Sequence, residues 1–218
     1  MTEQVQQPPS LPRLGSPAPQ FEAVTTHGTL KLEDFKGSWL VMFSHPADFT
    51  PVCTTEFVAF AKIHPKLREL NCELMGLSID SVYSHIAWMR NIEEKLGQKI
   101  TFPVIADLDR QVATLYGMVM PGESKTETSR CVFIIDDKQM LRAMIYYPLT
   151  TGRNMDEILR VIQALQTSDK HGVATPANWR PGDRVIVPPA KTQEMAEQRM
   201  TDKTVECKDW YFCMRELK

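Results

Sequence analysis

The residue best placed to do chemistry in this chain is a cysteine near the start of a helix. Cys53 stands in the segment Ser44-His45-Pro46-Ala47-Asp48-Phe49-Thr50-Pro51-Val52-Cys53-Thr54-Thr55-Glu56, between an apolar run and an amphipathic one. Thr50 suits an N-cap, and Pro51 suits the first helical position, where its missing N–H costs nothing. Cys53 then falls at the third helical position. A sulfur in the first turn meets unpaired backbone N–H groups and the positive end of the helix dipole, and both favour the thiolate, the nucleophilic form. Pro46 and Pro51 fix the loop backbone, which presents amide N–H groups near the sulfur as a nest for an anion or a polar oxygen. Inert burial is the ordinary fate of a single cysteine; the strand-loop-helix setting points to a reactive one.

The remaining cysteines divide into two pairs. Cys72 and Cys131 sit in apolar, strand-like runs and read as packing residues, whereas Cys207 and Cys213 are too far apart for a CxxC redox pair and lack a zinc-knuckle pattern. His27, His64, His85 and His171 have no ligand spacing to one another or to cysteine and read as surface or capping residues, so no metal is expected.

The elements that must carry Cys53 alternate. Trp39 to Ser44 is strand-like, Pro51 to Leu70 helical, Glu73 to Ile79 strand-like and Val82 to Leu96 helical, a βαβα rhythm. His64-Pro65 is expected to kink the first helix, because Pro65 removes a backbone donor. In the second helix Val82, Ile86, Met89, Ile92 and Leu96 share one face, with Asp80 or Ser81 as N-cap. Cys131 to Ile135 and Leu141 to Tyr147 flank Asp136-Asp137-Lys138 as a hairpin, and a last core helix begins at Asn154 with Glu157 as capping-box partner. Residues 1–20 hold five prolines and read as an extended arm, residues 21–167 as the main α/β domain, and residues 168–218 as a smaller C-terminal unit whose one strand candidate is Arg184 to Val187.

Composition narrows the function classes. The 218 residues carry 25 Lys+Arg and 27 Asp+Glu, a net charge of −2, which disfavours a nucleic-acid partner. With 43% hydrophobic and 24% charged residues the chain can build a core. Its longest apolar runs fall far short of the ~20 residues a membrane helix needs, and no signal-like start precedes them. A cytoplasmic protein without membrane contact is expected. An odd count of five cysteines also disfavours a static disulfide framework.

The segment from His45 to Glu56 resembles the active-site signature of peroxiredoxins, its core Pro-x-x-x-Thr-x-x-Cys met by Pro46, Thr50 and Cys53, and His45 resembles the one-cysteine, peroxiredoxin-six-like group. Ser129-Arg130 resembles the segment with the family's active-site arginine, and Pro148 to Asn154 resembles the loop behind the site. The resemblance covers nearly the whole chain. It implies a thioredoxin-like α/β fold with a smaller C-terminal dimerisation extension, no cofactor, a homodimer at least and a ring such as a decamer. It also implies a peroxide substrate, a thioredoxin-like or small-thiol reductant, and attack by Cys53 on the peroxide to give a sulfenic acid. Thr50 would accept a hydrogen bond from the peroxide, and Arg130 would hold the thiolate and the leaving oxygen. Glu56 would orient Arg130 or Arg153, or else act as an ordinary first-turn acid; His45 would donate to a sulfenate or only pack. Cys207 and Cys213 resemble the late cysteines of archaeal-type members, where they resolve the sulfenate as a disulfide. A lipase elbow is missing, since Lys36-Gly37-Ser38-Trp39-Leu40 lacks the required glycines. A CxxC oxidoreductase is disfavoured by Thr54-Thr55-Glu56 after Cys53, and a non-catalytic holdase ring is separated from an enzyme by peroxide consumption with dithiothreitol.

Overall fold

The computed structural model describes residues 11–217; residues 1–10 of the expected arm lie outside the described residues. The chain divides into two compact units, one up to Met155 and one from Asp156 onward.

The first unit is built on a seven-stranded sheet in the order β2-β1-β5-β4-β3-β6-β7. Its chain order begins with a hairpin, β1 (Glu22–Thr25) and β2 (Gly28–Lys31), and a 3-10 turn over Leu32–Phe35. The central strands β3 (Trp39–Ser44), β4 (Cys72–Ser78) and β5 (Val104–Ala106) run parallel, and helices α1 (Pro51–Glu69) and α2 (Val82–Leu96) connect them. After the short α3 (Gln111–Leu115), β6 (Arg130–Ile135) and β7 (Leu141–Tyr147) form an antiparallel hairpin that pairs with β3. Residues of the arm from Leu11 onward dock on that hairpin: Gly15 N–H donates to the Leu141 carbonyl and Ala18 N–H to the Gln139 carbonyl, each at 2.8 Å.

The period of two in β3 explains why it is apolar throughout. Leu40 and Met42 enter a core on one face with Met75, Leu77, Phe133 and Tyr116. Phe43 points the other way, stacking on Phe60 of α1 at 3.9 Å between centroids and meeting Phe57 edge-on at 5.5 Å. A strand buried on both faces needs a continuous hydrophobic run.

α1 runs to Glu69, as its sequence reading expected, with Pro65 inside it. The second helix departs from its reading. On α2 the buried residues are His85, Trp88 and Ile92, while Ile86 and Leu96 are 43% and 55% exposed. The buried stripe is therefore rotated from the expected one, because His85 has polar partners inside the protein. His64, 5% exposed and bonded to Thr101, and His85, 0% exposed, correct the expectation of surface histidines.

The second unit contains α4 (Met155–His171), β8 (Val185–Ile186), α5 (Gln193–Thr201), β9 (Glu206–Asp209) and β10 (Phe212–Arg215). Its three strands pair antiparallel in the order β8-β10-β9, and Ala164, Val173, Trp179 and Val185 form a small core. The architecture is the expected mixed α/β thioredoxin-like fold with a C-terminal extension, to which the extension adds a sheet of its own. Among the described residues no helix is long and apolar enough to cross a membrane.

Candidate active site

The parallel strand β3 ends at Ser44, and the chain turns through His45 to Thr50 before α1 begins. Thr50 is the N-cap with extended backbone (φ −105°, ψ 149°) and Pro51 opens the helix, so Cys53 occupies its first turn. The Thr50 hydroxyl does not cap, however; it donates to the Ala47 carbonyl at 2.9 Å. Its hydrogen is committed and its lone pairs are left to accept. The first-turn N–H groups of Val52 and Cys53, which have no acceptor within a helix, are likewise not taken by that hydroxyl. Phe49, just before the cap, has φ 55°, a left-handed backbone that a bulky side chain adopts only under constraint. Pro46, at the base of this loop, is buried.

Cys53 is 0% exposed. Arg130, the first residue of β6, reaches it from the neighbouring strand with Nη1 3.4 Å from Sγ. The guanidinium is clamped from two other directions. Nη1 donates to Glu56 Oε2 at 2.7 Å, and Nε and Nη2 both donate to the Leu149 carbonyl, at 2.9 and 2.7 Å. Glu56, one turn beyond Cys53, also accepts from Arg153: backbone N–H and Nε to Oε1 at 2.8 Å each, and Nη2 to Oε2 at 2.7 Å. Both arginines, rather than one of the two, are thus oriented by a single carboxylate. Burial pushes the Glu56 pKa up, but the Arg153 bonds and the charges of both arginines outweigh it and hold the carboxyl below its usual range. Arg153 spends its remaining donor group on the carbonyls of Ser44 and Cys131, at 2.8 Å each, and lies over the rings of Phe43 and Phe60. It ties β3, β6 and α1 together, whereas Arg130 presents a hydrogen to the sulfur.

The structure adds a second cluster that the sequence reading missed. His45 Nε2 lies 2.9 Å from Asp48 Oδ1, and His85 Nδ1 lies 2.8 Å from Asp48 Oδ2. His85 Nε2 faces the Ile105 carbonyl at 3.1 Å, a contact in which only the ring can donate. Burial pushes the Asp48 pKa up, but the bonds and charges of the two imidazoles outweigh it and hold this carboxyl well below the usual carboxylate range. Burial lowers the His45 pKa despite its Asp48 bond, leaving this ring neutral. Its Nε2–H donates to Asp48, and its Nδ1 is buried without a partner. His45 therefore packs against Phe57 and Trp88 in the described structure, at 4.7 and 5.2 Å between centroids.

The ligand atoms of His45, Asp48 and His85 lie within 4.8 Å of one another. Their contacts are hydrogen-bond lengths, shorter than the roughly 3.3 Å that separates donors on a tetrahedral ion with ~2.0 Å bonds. The group fits a hydrogen-bonded brace for the loop better than an ion. Asp48 lies within the motif three residues after His45, and His85 stands at i, i+3 to Trp88; those spacings were the only signals available.

Cys72 and Cys131 are buried, and burial pushes both thiols up to about 12. They stay protonated packing residues. Cys207 and Cys213 lie in the second unit, opposite each other on β9 and β10, and are joined as a disulfide.

Residues 14–144 match the AhpC/TSA family, and residues 164–203 match the C-terminal domain of 1-Cys peroxiredoxin. A peroxiredoxin of Aquifex aeolicus is 57% identical, covering 95% of this chain and 98% of its own length. One of Methanocaldococcus jannaschii is 50% identical over 95% of this chain and 100% of its own. Among solved structures, a yeast mitochondrial 1-Cys peroxiredoxin, described for thiol resolution via glutathione/thioredoxin systems, superposes with a TM-score of 0.83 at 42% identity, covering 95% of this chain and all of that one. Peroxiredoxin 6 of Arenicola marina superposes with a TM-score of 0.85 at 39% identity over 94% of this chain and 98% of that one.

Proposed function

This chain belongs to the AhpC/TSA family and is a peroxiredoxin, and from that premise we propose that Cys53 is its peroxidatic residue. The observation that carries the assignment is the 3.4 Å contact between Arg130 Nη1 and Cys53 Sγ, made by a guanidinium clamped by Glu56 and Leu149. The Cys53 thiolate attacks one peroxide oxygen, the O–O bond breaks, and the distal oxygen leaves as hydroxide or alkoxide and takes up a proton. Thr50 Oγ1, whose hydrogen is held by Ala47, accepts from the peroxide O–H. Arg130 donates to the reacting sulfur and to the charge growing on the leaving oxygen. Pro46 fixes the loop, and Glu56, Arg153 and His45 support it.

Full burial of the sulfur suits a slim reacting end, so hydrogen peroxide and organic hydroperoxides are the substrates, the organic group staying outside. Cys213 of a neighbouring subunit then condenses with the Cys53 sulfenic acid, releasing water, and Cys207 exchanges into the Cys207–Cys213 bond. A thioredoxin-type reductant closes the cycle. The working form is a homodimer or a larger ring in the cytoplasm, with the extension of residues 168–218 as the dimerisation element.

Peptide mapping after one equivalent of peroxide tests the assignment. Wild type should yield Cys53 linked to Cys213 or a Cys207–Cys213 pair, and Cys53→Ser should consume no peroxide while remaining folded. Turnover in Cys53→Ser refutes it.

A further inference from the structure

The two sulfurs of the tail disulfide are not equivalent. They face each other across the β9–β10 hairpin, at register partners Cys207 and Cys213. Cys213 is 1% exposed, and its Sγ lies 3.4 Å from the Asp209 carbonyl oxygen and 3.9 Å from that of Trp210. Those oxygens, supplied by the end of β9 and the turn that follows it, repel an approaching anion and fill the space around the sulfur. Cys207 is only half-buried, with one carbonyl, that of Arg199 on α5, at 3.8 Å. α5 and the turn also form an open hollow of about 490 Å³ lined by Ala196, Met200 and Trp210.

Thiol–disulfide exchange requires a thiolate to reach the attacked sulfur, so access decides which of the two is the electrophile. We propose that electrons enter the tail through Cys207: an external protein dithiol of the CxxC class attacks Cys207 Sγ, and Cys213 is the leaving sulfur. In that step the dithiol's first sulfur bonds to Cys207 as the Cys207–Cys213 bond breaks, and Cys213 departs with the electron pair and takes up a proton. The dithiol's second thiolate then attacks its own first sulfur, closing the reductant's disulfide, and Cys207 leaves and is protonated in turn. Two electrons and two protons pass to the tail. The first sulfur set free is Cys213, the one that the proposed cycle uses as resolver; in that respect the inference rests on the reading given above, although the exchange itself does not need Cys53.

The test is a trapping experiment on the full-length protein with its tail disulfide intact. The probe is a thioredoxin whose second CxxC cysteine is replaced by serine, which halts exchange at the mixed disulfide. Peptide mapping should find the adduct on Cys207, in at least about ten-fold excess over Cys213, since access divides the sulfurs. The same result is expected in Cys53→Ser oxidised with diamide, which keeps the outcome separate from that of the peroxide cycle. An adduct mainly on Cys213, or none on either tail cysteine, overturns the proposal.

Discussion

Arg130 and Arg153 share one carboxylate, yet their removal should damage the protein in different ways. Arg130→Ala deletes the one guanidinium hydrogen that, among the described residues, reaches the sulfur. Glu56 nevertheless keeps its backbone bond and both side-chain bonds from Arg153, and the half-buried Leu149 carbonyl can turn to water. Losing one preorganised donor costs ~10²–10³ in rate, and the stability change should stay below about 2 kcal/mol, in the range of one charged hydrogen bond. Arg153→Ala instead strips Glu56 of both side-chain bonds, leaving it only the backbone N–H of that residue and Arg130, and takes the guanidinium donor away from the carbonyls of Ser44 and Cys131, both in fully buried strand positions. Breaking a buried pair in this way costs about 3–5 kcal/mol, while the rate of the fraction still folded should fall less than about ten-fold. Stopped-flow tryptophan fluorescence can follow the peroxide step, since Trp88 lies against His45 and Phe57, and urea titration reads stability. A loss of rate in Arg153→Ala equal to that in Arg130→Ala, at unchanged stability, would refute the division of labour.

Three further outcomes follow from the same geometry. Because the Glu56 carboxyl is held below its usual range, its contribution to stability is complete above that range and is lost as pH falls through the lowered folded value; urea midpoints should drop in acid, and Glu56→Gln, already destabilised at neutral pH, should show a flatter acid limb. Asp48→Asn removes the charge that both imidazoles share, at about 3–5 kcal/mol or roughly 6–20 °C in Tm; a calorimetric shift under about 1 °C would mean that the brace contributes nothing. On non-reducing electrophoresis after peroxide, wild type should give a covalent dimer that Cys213→Ser lacks, and a dimer persisting in that variant removes Cys213 from the cycle.

The parts of the molecule legible in the sequence are those set by local chemistry. Thr50-Pro51 marked the start of α1, and of the two N-cap candidates for α2 it is Ser81 that caps, accepting from the Ser84 N–H. The continuous run Trp39 to Ser44 marked a strand buried on both faces. What escaped depended on partners far away in the chain. The buried face of α2 could not be read correctly because His85 is apolar in effect only once Asp48 and Ile105 receive its two nitrogens. Glu56 was recognisable as a candidate partner for an arginine, but that it holds two of them depends on strand β6 and the 148–154 loop converging at one point. The β1–β2 hairpin, the three-residue β5 and the tail hairpin β9–β10 are too short to show a period.

The seat of Cys53 also has a kinetic meaning. Under the proposed cycle a peroxide needs only to reach the sulfur, at a rate that rises with its concentration, whereas a disulfide partner would have to wait for the first turn of α1 to open, because the Cys53 side chain has no exposed surface. That waiting time does not depend on peroxide. Under the proposed cycle the two events race, and above a threshold concentration a second peroxide arrives first and carries the sulfenic acid on to the sulfinic form. Under that cycle the start of α1 would act as a timer: the more firmly Pro51 and its loop hold the turn shut, the lower the dose at which the molecule would silence itself.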